Sequence, residues 1–326
     1  MENGTKLRLV YLYQYLIQYT DSEHQLSTAE LTRILKEKYG ISCARNTISN
    51  DLVILRESDL HICYTVSTQN KYYYDGQPFE LSQLKILVDA IAAAKFINAS
   101  ISRQLIAKLL TLTTEENAMQ LRRHVDVEGF VKSESRAGYG SVDVVNSAID
   151  LHRKIQFIYV DYDANKNQIL MNNGLPYTVS PYELIWDGDF YYMRGYCDER
   201  KQMRNFRLDR ISGEPVLLNE IAEIPPEDYN PAEYHKAVFR MMDTDEMTSV
   251  DLVCAAGVMK YLIDNFGHDV DTEKTDDEHF IAHIRVCTSP TFYRWIFGFT
   301  GKIRILGPDS VSNEYKEMLK AAMETC

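Results

Sequence analysis

Apolar positions in the first part of the chain fall at helical spacing, separated by short polar breaks. Lys6 to Tyr19 is a dense apolar run of helical length. In "LSTAELTRILKEKYG" that follows, Ser27 and Glu30 match the S-x-x-E capping box, which satisfies orphan amides at a helix start. Leu31, Ile34, Leu35 and Tyr39 then recur at helical spacing, and Gly40 supplies a left-handed stop. After "ISC" a third helix is predicted over about Ala44 to Arg56, with Ser42 as its cap. "HICYTVSTQNKYYYDG" reads as two short strands around a polar turn.

Helix, helix, helix, hairpin is the order of a winged helix-turn-helix. The pattern then stays helical. "FELSQLKILVDAIAAAKFI", with Ser82 near its start, and "SRQLIAKLLTLTTEENAMQLRRHV" are rich in Ala and Leu and lack Pro. "RAGY" at 136–139 reads as a loop, and a further helix is expected from Asp143 to Arg153. The period then changes to that of strands: "KIQFIYVDY", "TVSPYELIWDG", "DFYYMRGYCD", "QMRNFRLDRI" and "EPVLLN", bounded by Asn, Asp, Gly and Pro. Short strands of this kind suit a small antiparallel barrel. Past the Pro-containing "IPPEDYNPAEYH", strands and helices alternate from "TSVDLVCAA" to "SNEYKEMLKAAME", the order of a small α+β module. The expected division is 1–76, 77–141, 142–222, 223–246 as a linker, and 247–326, a multidomain α+β chain.

Composition narrows the class. The chain has 326 residues, 45% hydrophobic and 25% charged, which is ordinary for a soluble protein of two or three domains. No apolar run approaches the roughly 20 residues of a membrane span, and the N-terminus lacks the charge and apolar pattern of a signal peptide. Six cysteines are scattered singly, as expected of reduced thiols in the cytoplasm. The net charge is −12, yet residues 218–326 alone hold twenty acidic against ten basic side chains. The first two-thirds are close to neutral, so local clusters there set the sign of the field.

Two such clusters stand out. With Ile48 at the centre of the third helix's buried face and 100° per residue, Ala44, Leu52 and Leu55 fall on the same side. Asn46, Asn50 and Val53 point away, Thr47 and Ser49 flank them, and Arg45 and Arg56 sit at the edge. Asn suits an adenine edge, and Ser, Thr and Arg suit bases or phosphates. The second helix of a helix-turn-helix pair enters the major groove, so Arg45, Asn46, Thr47, Ser49 and Asn50 are the candidate contacts to double-stranded DNA. The plainer alternative is a solvated helix face.

The second cluster is basic. Arg194, Arg200, Lys201, Arg204, Arg207 and Arg210 crowd the eighteen positions from 194 to 211. On a regular strand Arg204 and Arg210 share a face with Phe206 and Leu208, and Arg207 faces the other way. All three converge only if the strand is bulged or strongly twisted. Guanidinium groups bind phosphate bidentately and tyrosines stack on bases. Alternatively Asp198, Glu199 and Asp209 neutralise the arginines as cross-strand pairs. His279 and His283 lie four apart on a segment that alternates like a strand, about 13 Å apart, so no metal site is expected. No cofactor is expected. There is no G-x-S-x-G, P-loop, G-x-G-x-x-G or H-E-x-x-H, so no enzyme is expected either.

Three stretches resemble one family. "ISCARNTISNDLVILRESDLHICYT" resembles the recognition helix and wing of the regulators attached to WYL domains, through Arg45, Thr47, Ile48, Asp51, Leu52 and Leu55. Asn50 departs from that pattern, where family members often have arginine. "SPYELIW…GDFYYMRGY…RNFRLDRI" resembles the WYL domain itself. The namesake triplet falls on Tyr191, Tyr192 and Met193, and the two substitutions keep size and apolar character. "WIFGFTGKIRILGPDSV" resembles the WCX-type extension that follows such domains.

The resemblance implies an N-terminal winged helix-turn-helix, a helical linker with a dimerisation role, an Sm/SH3-like barrel and a ferredoxin-like extension. It implies a homodimeric, ligand-responsive transcriptional regulator that senses a nucleic-acid or nucleotide effector. By position, Ser180, Tyr182, Arg204, Arg207 and Arg210 would contact the effector, with Arg194 beside them. Two alternatives are a nucleic-acid-processing enzyme or its accessory subunit, and a protein-interaction module.

Overall fold

The protein is described from a computed structural model, which covers residues 2–325 except 67, 124, 126, 128, 134–136, 228, 232, 233 and 235–246. The chain divides into two compact units, Met1–Glu134 and Ser135–Cys326.

In the first unit, α1 (Glu2–Tyr19), α2 (Thr28–Tyr39) and α3 (Arg45–Glu57) pack with a small antiparallel sheet. Its strands are β1 (Leu26–Ser27), β2 (Ile62–Thr65) and β3 (Lys71–Tyr74), in the order β1-β3-β2. Leu12, Leu16, Leu31, Leu35, Ile48, Leu52, Leu55, Ile62 and Tyr72 form the core. The predicted capping box holds α2: the Ser27 hydroxyl accepts from the Glu30 amide, and Glu30 accepts from the Ser27 amide at 2.8 Å. Gly40 ends α2 at φ 67°, a conformation that costs a Cβ-bearing residue strain. Ser42 does not cap α3. That position belongs to Ala44, which makes no side-chain cap and is exposed rather than buried.

Three helices follow: α4 (Leu81–Ala93), α5 (Ala99–Leu110) and α6 (Glu115–Arg123). They share a core of Leu84, Val88, Ala92, Ile106, Leu110, Ala118 and Leu121. Glu80, not Ser82, caps α4, through a reciprocal box with Gln83. The stretch read as helical after residue 101 is two helices, parted at "TLTT". The Thr114 hydroxyl accepts from the Asn117 amide at 3.4 Å and begins α6, an N-terminal use that suits threonine better than a helix interior.

In the second unit, α7 (Ala137–Asp150) starts earlier than expected, so the Ala137–Tyr139 part of the expected loop is helical; Arg136 lies outside the described residues. A curled antiparallel sheet follows: β4 (Arg153–Tyr162), β5 (Gln168–Leu170), β6 (Tyr177–Asp187), β7 (Phe190–Cys197), β8 (Gln202–Arg207) and β9 (Ile211–Ile221). The order is β5-β4-β6-β7-β8, with β9 also paired to β4. The short β5 was not anticipated. Phe157, Tyr177, Phe206, Met193, Val179 and Ile155 fill the interior, and α7 adds Val145 and Ala148. Met193 is fully buried there, so the methionine of the triplet does serve the core.

The last module runs β10 (Met247–Ala255), α8 (Met259–Phe266), β11 (Asp271–Lys274), β12 (His279–Cys287), α9 (Pro290–Phe297), β13 (Ile303–Gly307) and α10 (Asp309–Glu324). The order β11-β12-β10-β13, antiparallel throughout, is that of a split β-α-β arrangement. The four-residue β11 is fully exposed and was missed because its side chains carry no apolar alternation. Among the described residues no helix is long and apolar enough to cross a membrane.

Candidate nucleic-acid interface and ligand site

The exposed face of α3 is built from its buried one. Ile48, Asp51, Leu52 and Leu55 face the core, so Arg45, Asn46, Asn50 and Val53 are exposed and Thr47 and Ser49 half-buried. Arg45 reaches Gln69, beyond β2, at 3.5 Å. The Ser49 hydroxyl donates back to the Arg45 carbonyl. Arg56 lies 4.3 Å from the Tyr64 ring centroid. Asp51 was not placed on the buried face from sequence. Arg8 of α1 grips it with two hydrogen bonds of 2.6 and 3.1 Å, which lock α3 against α1.

The basic ribbon lies on β7, β8 and the turn after them. The strand stops at Arg207, and Leu208–Arg210 form a 3-10 turn. Thus the expected regular strand to Ile211 is corrected: the turn brings Arg207 and Arg210 to one region. Both lie near the phenol of Tyr159, which accepts from the Arg207 amide at 3.1 Å. Burial pushes that phenol up to about 12. Arg204, beside Phe206 on the other face of β8, does not join them; its guanidinium carbon lies 5.8 Å from the Phe206 ring centroid.

Both converging cations already have carboxylate partners. Arg207 forks onto Asp209 with bonds of 3.0 and 2.7 Å and stacks 3.3 Å over the Phe190 ring. Burial opposes its charge, but the hydrogen bond to Asp209, the charge of Asp209 and the nearby Tyr192 and Tyr159 together outweigh that, and its pKa rises. Arg210 pairs with Asp161 at 3.3 Å, with both side chains partly exposed.

Ser180 and Tyr182 lie on β6, where a bulge interrupts the pairing with β7. Ser180 is fully buried, and its hydroxyl accepts from the Glu223 amide at 2.9 Å. Glu223 also reaches Lys154 at 3.2 Å, and Asp198 completes that pair at 2.7 Å. The hydrogen bond from Lys154 to Asp198 raises its pKa. The Tyr182 hydroxyl is buried and has no hydrogen-bond partner among the described residues, and burial together with the Glu223 charge pushes it up to about 12. Of the five positions, Arg207 and Arg210 come together near Tyr159, while Arg204 lies across Gly195 from Pro181, the residue between Ser180 and Tyr182.

A second cluster went unforeseen. Arg194 is 4% exposed and bonds Asn205 at 3.2 Å, with its guanidinium 3.4 Å over the Tyr234 ring. Asn205 donates to the Tyr234 hydroxyl at 2.7 Å, and Tyr229 donates to Glu183. The strand register puts Glu183, Arg194 and Asn205 in one row, which alternation could have suggested; the tyrosines, more than twenty residues downstream, it could not.

Family comparison agrees with this sheet and the module after it. A WYL domain model matches residues 140–214, and a WCX domain model matches residues 246–323. The chain carries a WYL domain followed by a WCX domain. Among solved structures it is similar to proteasome accessory factor B/C (PafBC) of Arthrobacter aurescens, at 17% identity and a TM-score of 0.31 over 98% of this chain and 48% of that one. It is also similar to a CRISPR Cas-related protein, at 12% identity and a TM-score of 0.37 over 95% of this chain and 97% of the other. The chain thus spans about half the length of the first, 48%. No curated protein matches it. In the WCX domain, His279 and His283 lie on β12 as expected, engaging Asp276 at 3.2 Å and Asp251 at 2.7 Å.

Proposed function

We propose that the chain is a DNA-binding transcriptional regulator, not an enzyme, whose WYL domain senses a nucleic-acid or nucleotide effector. The observation that carries it is the α3 face: Arg45, Asn46 and Asn50 are exposed, flanked by the half-buried Thr47 and Ser49, on a helix pinned from behind by core residues and by the Arg8–Asp51 fork. On this reading α1–α3 and the small sheet are a winged helix-turn-helix, with α3 in the major groove and β2–β3 as the wing. The curled sheet is an Sm/SH3-like barrel. A homodimer presents two such heads to half-sites one DNA turn, or a multiple of it, apart.

The arrangement of arginines adds a condition to sensing. A phosphate can take a bidentate seat on Arg207 or Arg210 only by exchanging with Asp209 or Asp161. Binding is then ion exchange, and it changes DNA affinity only if it favours one dimer geometry over another. Arg210, more exposed and more loosely paired, is the first point of entry.

The test begins with mass spectrometry of nucleotides and oligonucleotides that co-purify with the protein, followed by DNA binding with and without them. Asn46→Ala with Asn50→Ala should lower the preference for operator over random duplex by about ten-fold or more, at ~1–3 kcal/mol per base contact. Arg45→Ala should shallow the slope of log affinity against log salt by roughly 0.9. Arg210→Ala should remove the effector response and leave basal DNA binding intact. Arg207→Ala is a poorer probe because it also uncovers Phe190 and leaves Asp209 without its fork. A flat salt slope for the parent would favour a protein partner for α3, and an unchanged response in Arg210→Ala would refute the effector assignment.

A further inference from the structure

We propose that a cleft in the first unit, bounded by the α1–α2 loop, the end of β3 and α6, binds a linear polyamine, a site separate from the effector site proposed above. The cleft measures about 530 Å³, within the range of small-molecule sites. Asp21, Glu23, Asp75 and Glu80 line it, and among the described residues no lysine or arginine does. A concave wall carrying one sign of charge focuses the field and draws counter-ions.

Carboxylates alone do not make a site, and two of these four are committed elsewhere. Asp21 holds the α1–α2 loop, accepting from the Glu23 and His24 amides at 2.9 and 2.8 Å. Glu80 caps α4. Glu23 and Asp75 are exposed, and among the described residues neither side chain has a hydrogen bond or an ion pair. A second observation comes from the facing wall. Thr113, just before α6, is more than nine-tenths buried and lines the cleft, yet its hydroxyl has no hydrogen-bond partner among the described residues. Buried hydroxyls are ordinarily paired. Asn117 and Gln120 follow on α6 at the spacing of one helix face, and their side-chain amides also have no partner among the described residues.

The spread of these groups selects the ligand. An anion is repelled. A metal ion would need three or more His, Cys, Asp or Glu side chains drawn together, and no such group occurs among the described residues. A singly charged amine meets one free carboxylate and leaves the other. A flexible chain with two or more ammonium groups has a charge for each, and N–H donors for the Thr113 hydroxyl and the two amide oxygens. Its methylenes suit the Tyr74 and Phe79 rings that also line the cleft, whose faces attract ammonium groups.

The experiment titrates the full chain with spermidine and, separately, with butylamine, by calorimetry at low salt. Spermidine should bind at a single site at least ~5-fold tighter than butylamine, the worth of one further exposed ion pair. Glu23→Gln with Asp75→Asn should reduce spermidine to the affinity of butylamine. Glu214→Gln with Glu220→Gln, which removes the same charge from exposed positions on β9, should leave binding unchanged. Thr113→Val should weaken spermidine by roughly 5-fold through the lost hydrogen bond; the solvent-facing Glu23 and Asp75 variant carries the test if the valine variant loses its helical circular dichroism. Magnesium chloride should compete no better than sodium chloride at equal ionic strength. No detectable binding of spermidine, equal binding of the two amines, the same loss in both charge variants, unchanged binding in Glu23→Gln with Asp75→Asn, or displacement by magnesium would overturn the proposal.

Discussion

Asp51 illustrates what one residue can reveal and conceal. It lies three positions from Ile48, so helical spacing alone turns it towards the core, yet its charge argues for the surface. The conflict is resolved by Arg8, 43 positions away, whose fork at 2.6 and 3.1 Å satisfies the carboxylate. Nothing local in the sequence names that partner. Removing one member of a buried pair strands the other, at a cost of about 3–5 kcal/mol, whereas an apolar replacement of both is often close to neutral. Asp51→Ala should therefore destabilise the α1–α3 core by about 3 kcal/mol, and Arg8→Met combined with Asp51→Leu should recover most of the loss. Amide hydrogen exchange of Leu52 and Leu55 checks both. His283 makes a different kind of pair. Its bond to Asp251 raises its pKa above the usual 6.5, with Asp271 and Glu273 adding to the effect. A raised folded value means the stabilisation is fully present below the unfolded pKa and fades as pH rises through the folded one. Imidazole NMR of the native protein should show His283 titrating above 6.5, and Asp251→Asn should bring it back down.

At the scale of elements, what could be read depended on whether the signal was local. The capping box and terminal glycine of α2 sit within the helix they bound, and both are where the pattern put them. The start of α3 fell within a residue of its expected place, but its cap was misassigned because Ser42 looks like one, whereas the helix begins at Arg45 after an alanine that caps nothing. The 3-10 turn after β8 was foreshadowed only by a condition, that the three arginines converge only on a bulged or strongly twisted strand; the strand instead ends at Arg207 in a turn that gathers two of them. Gly195 shows why β6 and β7 can lie so close. A Cβ there would come within 2.3 Å of the Ser180 carbonyl oxygen and 3.0 Å of the Pro181 Cα. Both neighbours are backbone and cannot swing away. Gly195→Ala should thus cost about 1–3 kcal/mol, seen as a lowered unfolding midpoint of the sheet, while a midpoint equal to the parent's would mean that the strands can separate cheaply.

For the molecule as a whole, the second unit poses the question of how a curled sheet and a separate α+β sheet behave as one body. The segment between them was read as a linker, and most of it lies outside the described residues. Tyr234 does not. It is 4% exposed and clusters with Ile185 and Tyr192 of the WYL sheet and with Cys287 of the WCX sheet. Its ring also covers the Arg194 guanidinium, and its hydroxyl takes the Asn205 amide. One side chain thus belongs to an apolar cluster drawn from both sheets and satisfies polar groups on one. Truncating a buried aromatic costs about 3–5 kcal/mol, and here it would also leave Asn205 and Arg194 without their cover. Tyr234→Phe keeps the ring and loses only the hydrogen bond, about 1 kcal/mol. If this ring couples the sheets, urea unfolding of a fragment covering 135–326 should be a single transition for the parent and for Tyr234→Phe. It should split in two for Tyr234→Ala, with the signal from Trp295 in α9 separating from that of Trp186 in β6. A single transition in the alanine variant, or two in the parent, would show that the sheets are joined, or parted, by something other than Tyr234.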